Sequence, residues 1–252
     1  MWKRELDMTL DEAEQYLVGE GLMDLLDAAV SETQAGKPIA PDLMDLARLH
    51  RMIRQKLAFT VLEFGIGYST IAICDALEKN ERQWSDAKVT APIRNRFMWQ
   101  LFSVDTSEHW INETLKRLPA HLEARLHVTH TAAHIALHQG QVCHFFDTLP
   151  DVVPDFVYLD GPDPSEVTGQ VHGLSFACRE RTVMAADLLL MESTFLPGTQ
   201  VLVDGRTNNA RFLARNFRRS WTSDWSSDED VTTFELTEPR LGPHNILGRD
   251  LL

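Results

Sequence analysis

Val61-Leu62-Glu63-Phe64-Gly65-Ile66-Gly67-Tyr68-Ser69-Thr70 is the stretch whose reading decides the fold. An apolar run from about Leu57 forms a strand that ends in Glu63, bends on Gly65 and Gly67, and enters a helix that Ser69 or Thr70 can cap. Glycine permits positive φ and lets backbone come close to a ligand. The free N–H groups at the start of the next helix then suit a carboxylate or a phosphate. That much says only "nucleotide-like ligand". Two details narrow it: Glu63, at the strand end, suits a cationic amine, and Thr70 stands where the dinucleotide G-x-G-x-x-G fingerprint has its third glycine.

Working outward, strands and helices alternate. Ile71, Cys74 and Leu77 give the inner face of a first crossover helix, and the polar stretch Asn80 to Asn95 reads as an inserted loop. Phe97 to Val104 reads as a strand ending in Asp105, His109 to Leu118 as a helix stopped by Pro119, and Leu126 to Thr129 as a short strand. Asp155 to Asp160 is the next strand, followed by the loop Gly161-Pro162-Asp163-Pro164. A long helix is expected from about Gly173 to Leu190, with Leu174, Ala177, Met184 and Leu188 inward. Gln200 to Asp204 is a fifth strand, and Ala210, Leu213, Ala214 and Phe217 mark the helix after it. Ser220 to Trp225 and Val231 to Leu236 are separated by too few residues for a parallel crossover, so they should pair antiparallel. The fold class is therefore α/β: a doubly wound, mostly parallel seven-stranded sheet with a late antiparallel strand, preceded by N-terminal helices. Thr9 and Glu12 have capping-box spacing for the first of those helices, with Leu22, Leu25, Leu26, Ala29 and Val30 on one face. Ala35 to Pro41 breaks the chain, Pro41 suits a first helical position, and Leu43, Leu46, Ala47, His50 and Ile53 face inward on the next helix.

The acid-x-Gly-x-Gly bend, the strand-end acids and the antiparallel finish together resemble the class I S-adenosylmethionine (SAM)-dependent methyltransferases. The resemblance covers residues 57–238 and implies a SAM-binding domain there, with 1–56 a helical lead-in or cap and 239–252 a tail. In an open parallel sheet, ligands bind outside the carboxyl ends of the strands, and the strands here end in Glu63, Asp105, Asp160 and Asp204. The resemblance implies roles for them. Glu63 would face the methionine amine, Gly65 and Gly67 would let the methionyl end approach, and Tyr68, Ser69 and Thr70 would offer donors to its carboxylate. Asp105, with Thr106 after it, would hold the ribose hydroxyls; Thr131 and Ala132 would lie beside the adenine. Asp160 would sit between methyl donor and acceptor. Asp105 stands farther beyond the glycines than the roughly 20 residues usual in dinucleotide folds, a surplus assigned to the inserted loop. A hydroxyl acceptor needs its proton removed: Asp160, Asp163 and His172 lie where a base could stand, Asp160 being the first choice, while Asp163, Asp204, Arg206 and Asn208 would contact a small or sugar-like acceptor.

In the metal-dependent, catechol-type branch of that family, an acid after the fourth strand joins an Asp-Asn pair after the fifth. This chain has Asp204-Gly205 there, so no metal is expected. His130, His134 and His138 at helical spacing could present three imidazoles to zinc, but no acid or cysteine accompanies them and they read as surface residues. Arg211, Arg215, Arg218 and Arg219 read as a solvated helix face. A net charge of −13 with no basic block argues against a nucleic-acid partner. Three separated cysteines, an N-terminus without an apolar core and no run long enough for a bilayer point to a soluble, cytoplasmic protein, with homo-oligomerisation left open. The expected activity is transfer of a methyl group from SAM to a small-molecule acceptor, most simply on oxygen. The alternatives are an NAD(P)-dependent oxidoreductase on a related sheet and a non-catalytic SAM-binding protein.

Overall fold

The computed structural model describes residues 8–31, 41–178 and 180–251. Three helices lead in: α1 (Leu10–Gly19), α2 (Leu22–Ser31) and α3 (Leu43–Lys56). Thr9 caps α1, and its reciprocal pair with Glu12 is the expected capping box. Asp42 caps α3 by accepting from Met44 and Asp45 N–H, so Pro41 lies before the cap rather than inside the helix. The break at Ala35 to Ala40, and the facing of Ala29 and Val30, lie outside the described residues and side chains.

The alternating part runs β1 (Thr60–Phe64), α4 (Tyr68–Asp86), β2 (Gln100–Asp105), α5 (Glu108–Arg117) and β3 (Leu126–His130). It continues through β4 (Ala133–His138), β5 (Gln141–Phe146), β6 (Phe156–Leu159), β7 (Val167–Thr168), α6 (Asp187–Met191), β8 (Gln200–Asp204), α7 (Thr207–Asn216), β9 (Trp221–Ser226) and β10 (Val231–Leu236). The main sheet has the order β3-β2-β1-β6-β8-β10-β9, parallel except where β10 runs against both its neighbours. This is the expected seven-stranded sheet with its late antiparallel strand. Strands β1, β6 and β8 are buried on both faces, which is why they read as continuous apolar runs.

Each face has its own cover. Val61, Leu101, Phe156 and Leu202 pack under α3 and α4 through Leu49, Met52, Ile53, Ile73 and Leu77. Alternate residues, Leu62, Phe64, Val104, Leu159 and Val203, pack against β4, β5, α6 and α7. The second cover contains an unexpected element, a three-stranded sheet in the order β5-β4-β7. It stands where a doubly wound fold would carry a crossover helix.

Three sequence expectations give way. The polar stretch from Asn80 is first the end of α4, and only residues 87–99 form a loop; no strand hides in it, so β2 lies directly beside β1. His130 ends β3, while His134 and His138 lie on β4, so their four-residue spacing belongs to strands and aligns no helical face. The helix expected from Gly173 to Leu190 is reduced to α6. Upstream, backbone bonds from His144 N–H to Met184 O and from Ala186 N–H to His144 O pull this segment against β5. Pairing across the molecule wins over local periodicity here: Phe176 and Val183 are buried, while Leu174 and Ala177 are exposed. Among the described residues no helix is long and apolar enough to cross a membrane.

Candidate active site

Strand register aligns the ends of four neighbouring strands. Phe64 pairs with Val104 and with Leu159, and Leu159 pairs with Val203. The next residue on each strand therefore forms one row along the C-terminal edge: Gly65, Asp105, Asp160 and Asp204. The acids gather on one rim, as expected, except that Glu63 lies below it, level with Ser103 and Tyr158.

Glu63 is fully buried, and three hydroxyls bind its carboxylate. Ser69 Oγ donates at 2.6 Å, Thr70 Oγ1 at 2.7 Å, and Ser103 Oγ from β2 completes the set. Burial pushes its carboxyl up to about 7, against the pull of those three donors. Ser69 and Thr70 are thus first-turn residues tied inward, and the helix cap is Gly67. The bend has two parts. Gly65 (φ +97°) faces Gly161 so closely that a Cβ on it would lie 2.8 Å from Gly161 N, which glycine alone allows. Gly67 has open space where a Cβ would point; its N–H donates to Thr70 Oγ1 and Thr70 N–H donates to Gly67 O, which leaves the Tyr68 and Ser69 N–H groups of the first turn of α4 for a ligand.

Asp105 clamps the bend from β2. Its Oδ2 accepts from Ile66 N–H and its Oδ1 from Ser107 N–H, both at 2.7 Å, and burial raises its pKa. Thr131 N–H bonds Asp105 O at 3.0 Å, which brings the end of β3 alongside. Ala132 follows as the acceptor of Asp147 N–H. Thr106 Oγ1 donates to Glu166, a residue that the sequence reading passed over. The short turn Pro164–Glu166 carries Glu166 back over β2 because β7 pairs with β4.

The other half of the rim opens into a cavity of about 1370 Å³ lined by Asp160, Asp163, Asp204, Arg206 and Asn208. Phe176, Arg181 and Thr182, from the segment expected to be helical, complete its wall. Asp160 keeps 55% of its side-chain surface open, yet the mass packed around it raises its carboxyl to about 7, with Asp204 and Asp45 adding and Arg206 opposing. Tyr158 donates to Asp204 at 2.6 Å. Burial raises the Asp204 pKa as well. The lead-in helices reach this rim. Arg48 of α3, 2% exposed, bridges Asp45 and Glu229 at 2.7 Å each, and burial together with Asp204 lifts Asp45 to about 6. None of Tyr158, Asp45 or Arg48 sits in a motif, so the sequence carried no signal for them.

His172 is not brought to the cavity. It stands exposed on the turn between Val171 and Leu174 with φ +50°. Arg218 and Arg219 lie beyond α7, and Arg219 is bound to Glu238 and to the carbonyls of Glu192 and Phe195 instead of forming a solvated face. Among the described residues no cluster of three or more His, Cys, Asp or Glu could hold a metal ion.

No family model matches the chain, and no curated protein does. Solved structures do. The S-adenosylhomocysteine (SAH)-bound methyltransferase PaMTH1 of Podospora anserina matches with TM-score 0.53 and 11% identity, over 92% of this chain and 98% of that one. The O-methyltransferase of Bacillus cereus in complex with SAH matches with TM-score 0.48 and 13% identity, over 89% and 96%. The SAM complex of TomG of Streptomyces achromogenes matches with TM-score 0.47 and 15% identity, over 92% and 100%. The first of these carries the comparison, and what it shows is the fold: a Rossmann-like methyltransferase fold.

Proposed function

We propose, with that fold as premise, that the chain is a SAM-dependent methyltransferase acting on a hydroxyl of a small polar acceptor. One observation carries the reading. Gly65, Asp105, Asp160 and Asp204 form a single row on the rim, with the open bend at Gly67 beside them. Bound there, SAM supplies an electrophilic methyl on a sulfonium. The first-turn N–H groups of α4 would meet its carboxylate, and Gly67 leaves room for the approach. Asp105 would take the ribose hydroxyls, because each of its oxygens holds only one backbone N–H and keeps a lone pair free. Thr131 and Ala132 would border the adenine. Glu63 would act through Ser69 and Thr70, fixing the first turn, since it is fully buried below the rim and bonded to both.

Asp160 stands at the mouth of the acceptor cavity, and a carboxyl near 7 is matched to accepting a hydroxyl proton at neutral pH. Ser165, Thr168, Gln170, Thr182 and Asn208 give the cavity a hydrogen-bonding wall, which favours an acceptor with several hydroxyls. Much of the rate would come from holding both reactants in line. The test is calorimetric titration of SAM, SAH and NAD, followed by transfer of labelled methyl from SAM to a panel of polyhydroxylated and phenolic small molecules. Binding of SAM and SAH is expected; strong NAD binding with silence toward SAM overturns the proposal. Binding without transfer to any acceptor would favour the non-catalytic alternative.

A further inference from the structure

The methyltransferase fold raises the question of a divalent cation between the acids that follow β6 and β8. The residues present do not fit one. Gly205 offers no side-chain ligand after Asp204, and Asp204 Oδ2 already accepts from Tyr158. The space beside Asp160 is occupied by a cation belonging to the protein. Gly205 adopts φ +57°, and the turn it makes brings Arg206 back across the rim toward β6. Arg206 Nη1 donates to Pro162 O at 3.1 Å, and Nη2 donates to Asp160 O. Nε lies 3.8 Å from Asp160 Oδ1 and has no hydrogen-bond partner.

We propose that the Arg206 guanidinium is the resident cation of the acceptor site, taking the place of a divalent metal beside Asp160 and the reacting oxygen. The inference rests on the methyltransferase reading above and deepens it. Two backbone carbonyls hold the guanidinium in place without neutralising it, so its charge stays available to the rim. It is only 17% exposed, where a charge acts more strongly than in open water. Asp160, Asp163, Asp204 and Tyr158 all lie within its electrostatic reach, and it opposes the rise of the Asp160 carboxyl, while Arg48 and Arg206 both act on Asp204. The neighbouring cation, Arg48, is committed to Asp45 and Glu229. In the reaction, the acceptor O–H proton passes to the Asp160 carboxylate and the oxygen bonds the methyl carbon. The carbon–sulfur electron pair stays on sulfur, which leaves as the neutral thioether SAH. Arg206 steadies the negative charge that gathers on the oxygen, the task a metal ion performs elsewhere.

The experiment titrates MnCl2, with MgCl2 as competitor, into chelator-treated protein loaded with SAH. The wild type should bind neither ion below millimolar concentration. The double variant Gly205→Asn/Arg206→Ala supplies a third ligand, at a φ that asparagine tolerates, and removes the guanidinium. It should gain Mn²⁺ binding by tenfold or more. Micromolar binding of Mn²⁺ to the wild type, displaced by Mg²⁺, overturns the proposal, and so does a folded double variant that gains nothing. With an acceptor found in the panel above, chelator-treated wild type should keep its full rate. Arg206→Ala should lose about 10²-fold in kcat while its KM for SAM stays within twofold, and Arg206→Lys should recover part of the loss. A rate restored by Mg²⁺, or an Arg206→Ala variant with wild-type kcat, counts against Arg206. Failure of SAH itself to bind would strike the methyltransferase reading, a result separable from any outcome with manganese.

Discussion

The two halves of the rim treat their charges differently. On the β1–β2 side every acid is answered at close range by the protein: three hydroxyls on Glu63 and two backbone N–H groups on Asp105. On the β6–β8 side the answers are partial. Asp160 is half open, its guanidinium partner stands 3.8 Å off, and Arg206 Nε has no hydrogen-bond partner. Buried groups bonded at close range hold a shape, because each lost partner leaves a buried polar group to be desolvated alone. Partly satisfied groups keep interaction energy for a ligand or a transition state. Under the proposed function, the first half serves as a frame and the second as the place where bonds change.

That contrast can be broken in order of expected effect. Asp160→Asn should cost the most activity, about 10²–10⁴-fold in kcat measured by labelled methyl transfer, while thermal unfolding stays near wild type. In the wild type, kcat/KM should climb as pH rises toward about 7 and then level off, because the carboxyl must be ionised to accept a proton. Loss of stability without loss of rate would move Asp160 into the frame.

Gly161→Ala should do the opposite. Its Cβ would meet Gly65 N and Cα at 2.6 Å, both backbone, and denaturant unfolding should show a loss of about 3 kcal/mol. Wild-type stability would mean that the bend yields more easily than this geometry allows. Asp105→Ala should weaken SAM by about 1–3 kcal/mol in calorimetry, and an unchanged affinity removes Asp105 from the cofactor site.

Glu63→Gln tests the frame through pH. A carboxyl raised from 4.5 to about 7 on folding favours the protonated state, so its contribution is complete below about 4.5 and is lost as pH rises through about 7. Across that window the stability of the wild type relative to Glu63→Gln should fall by up to about 3 kcal/mol. Parallel curves would show that Glu63 does not titrate there. The smallest effect belongs to His138→Ala, half-buried at the end of β4 with its ring edge-on to Phe212, which should cost no more than about 1 kcal/mol by denaturant unfolding.

Legibility in the sequence followed the range of the forces involved. The bend at Val61 to Thr70, the capping box at Thr9 and the strand Gln200–Asp204 are written in neighbouring residues, and the structure has them where the spacing put them. The antiparallel finish was readable because a short gap forbids a crossover. The segment after Gly173 misled because its apolar spacing is helical while its backbone partners lie on β5, about forty residues earlier. The histidines left their element open, since a period of four fits one face of a strand as well as one side of a helix. At the site, the strand-end acids were visible as residue types. Which of them were already bonded, and that α3 would lend Asp45 and Arg48 to the rim, depends on packing across the fold.

The β4–β5 hairpin has a practical side. Its tip, Gln139-Gly140, points away from the bulk, and a Cβ on Gly140 would touch nothing. A fluorophore or affinity handle inserted there would ride on an antiparallel ladder rather than on the rim that carries the acids. Ligand titrations could then be followed optically without disturbing the acids of the rim.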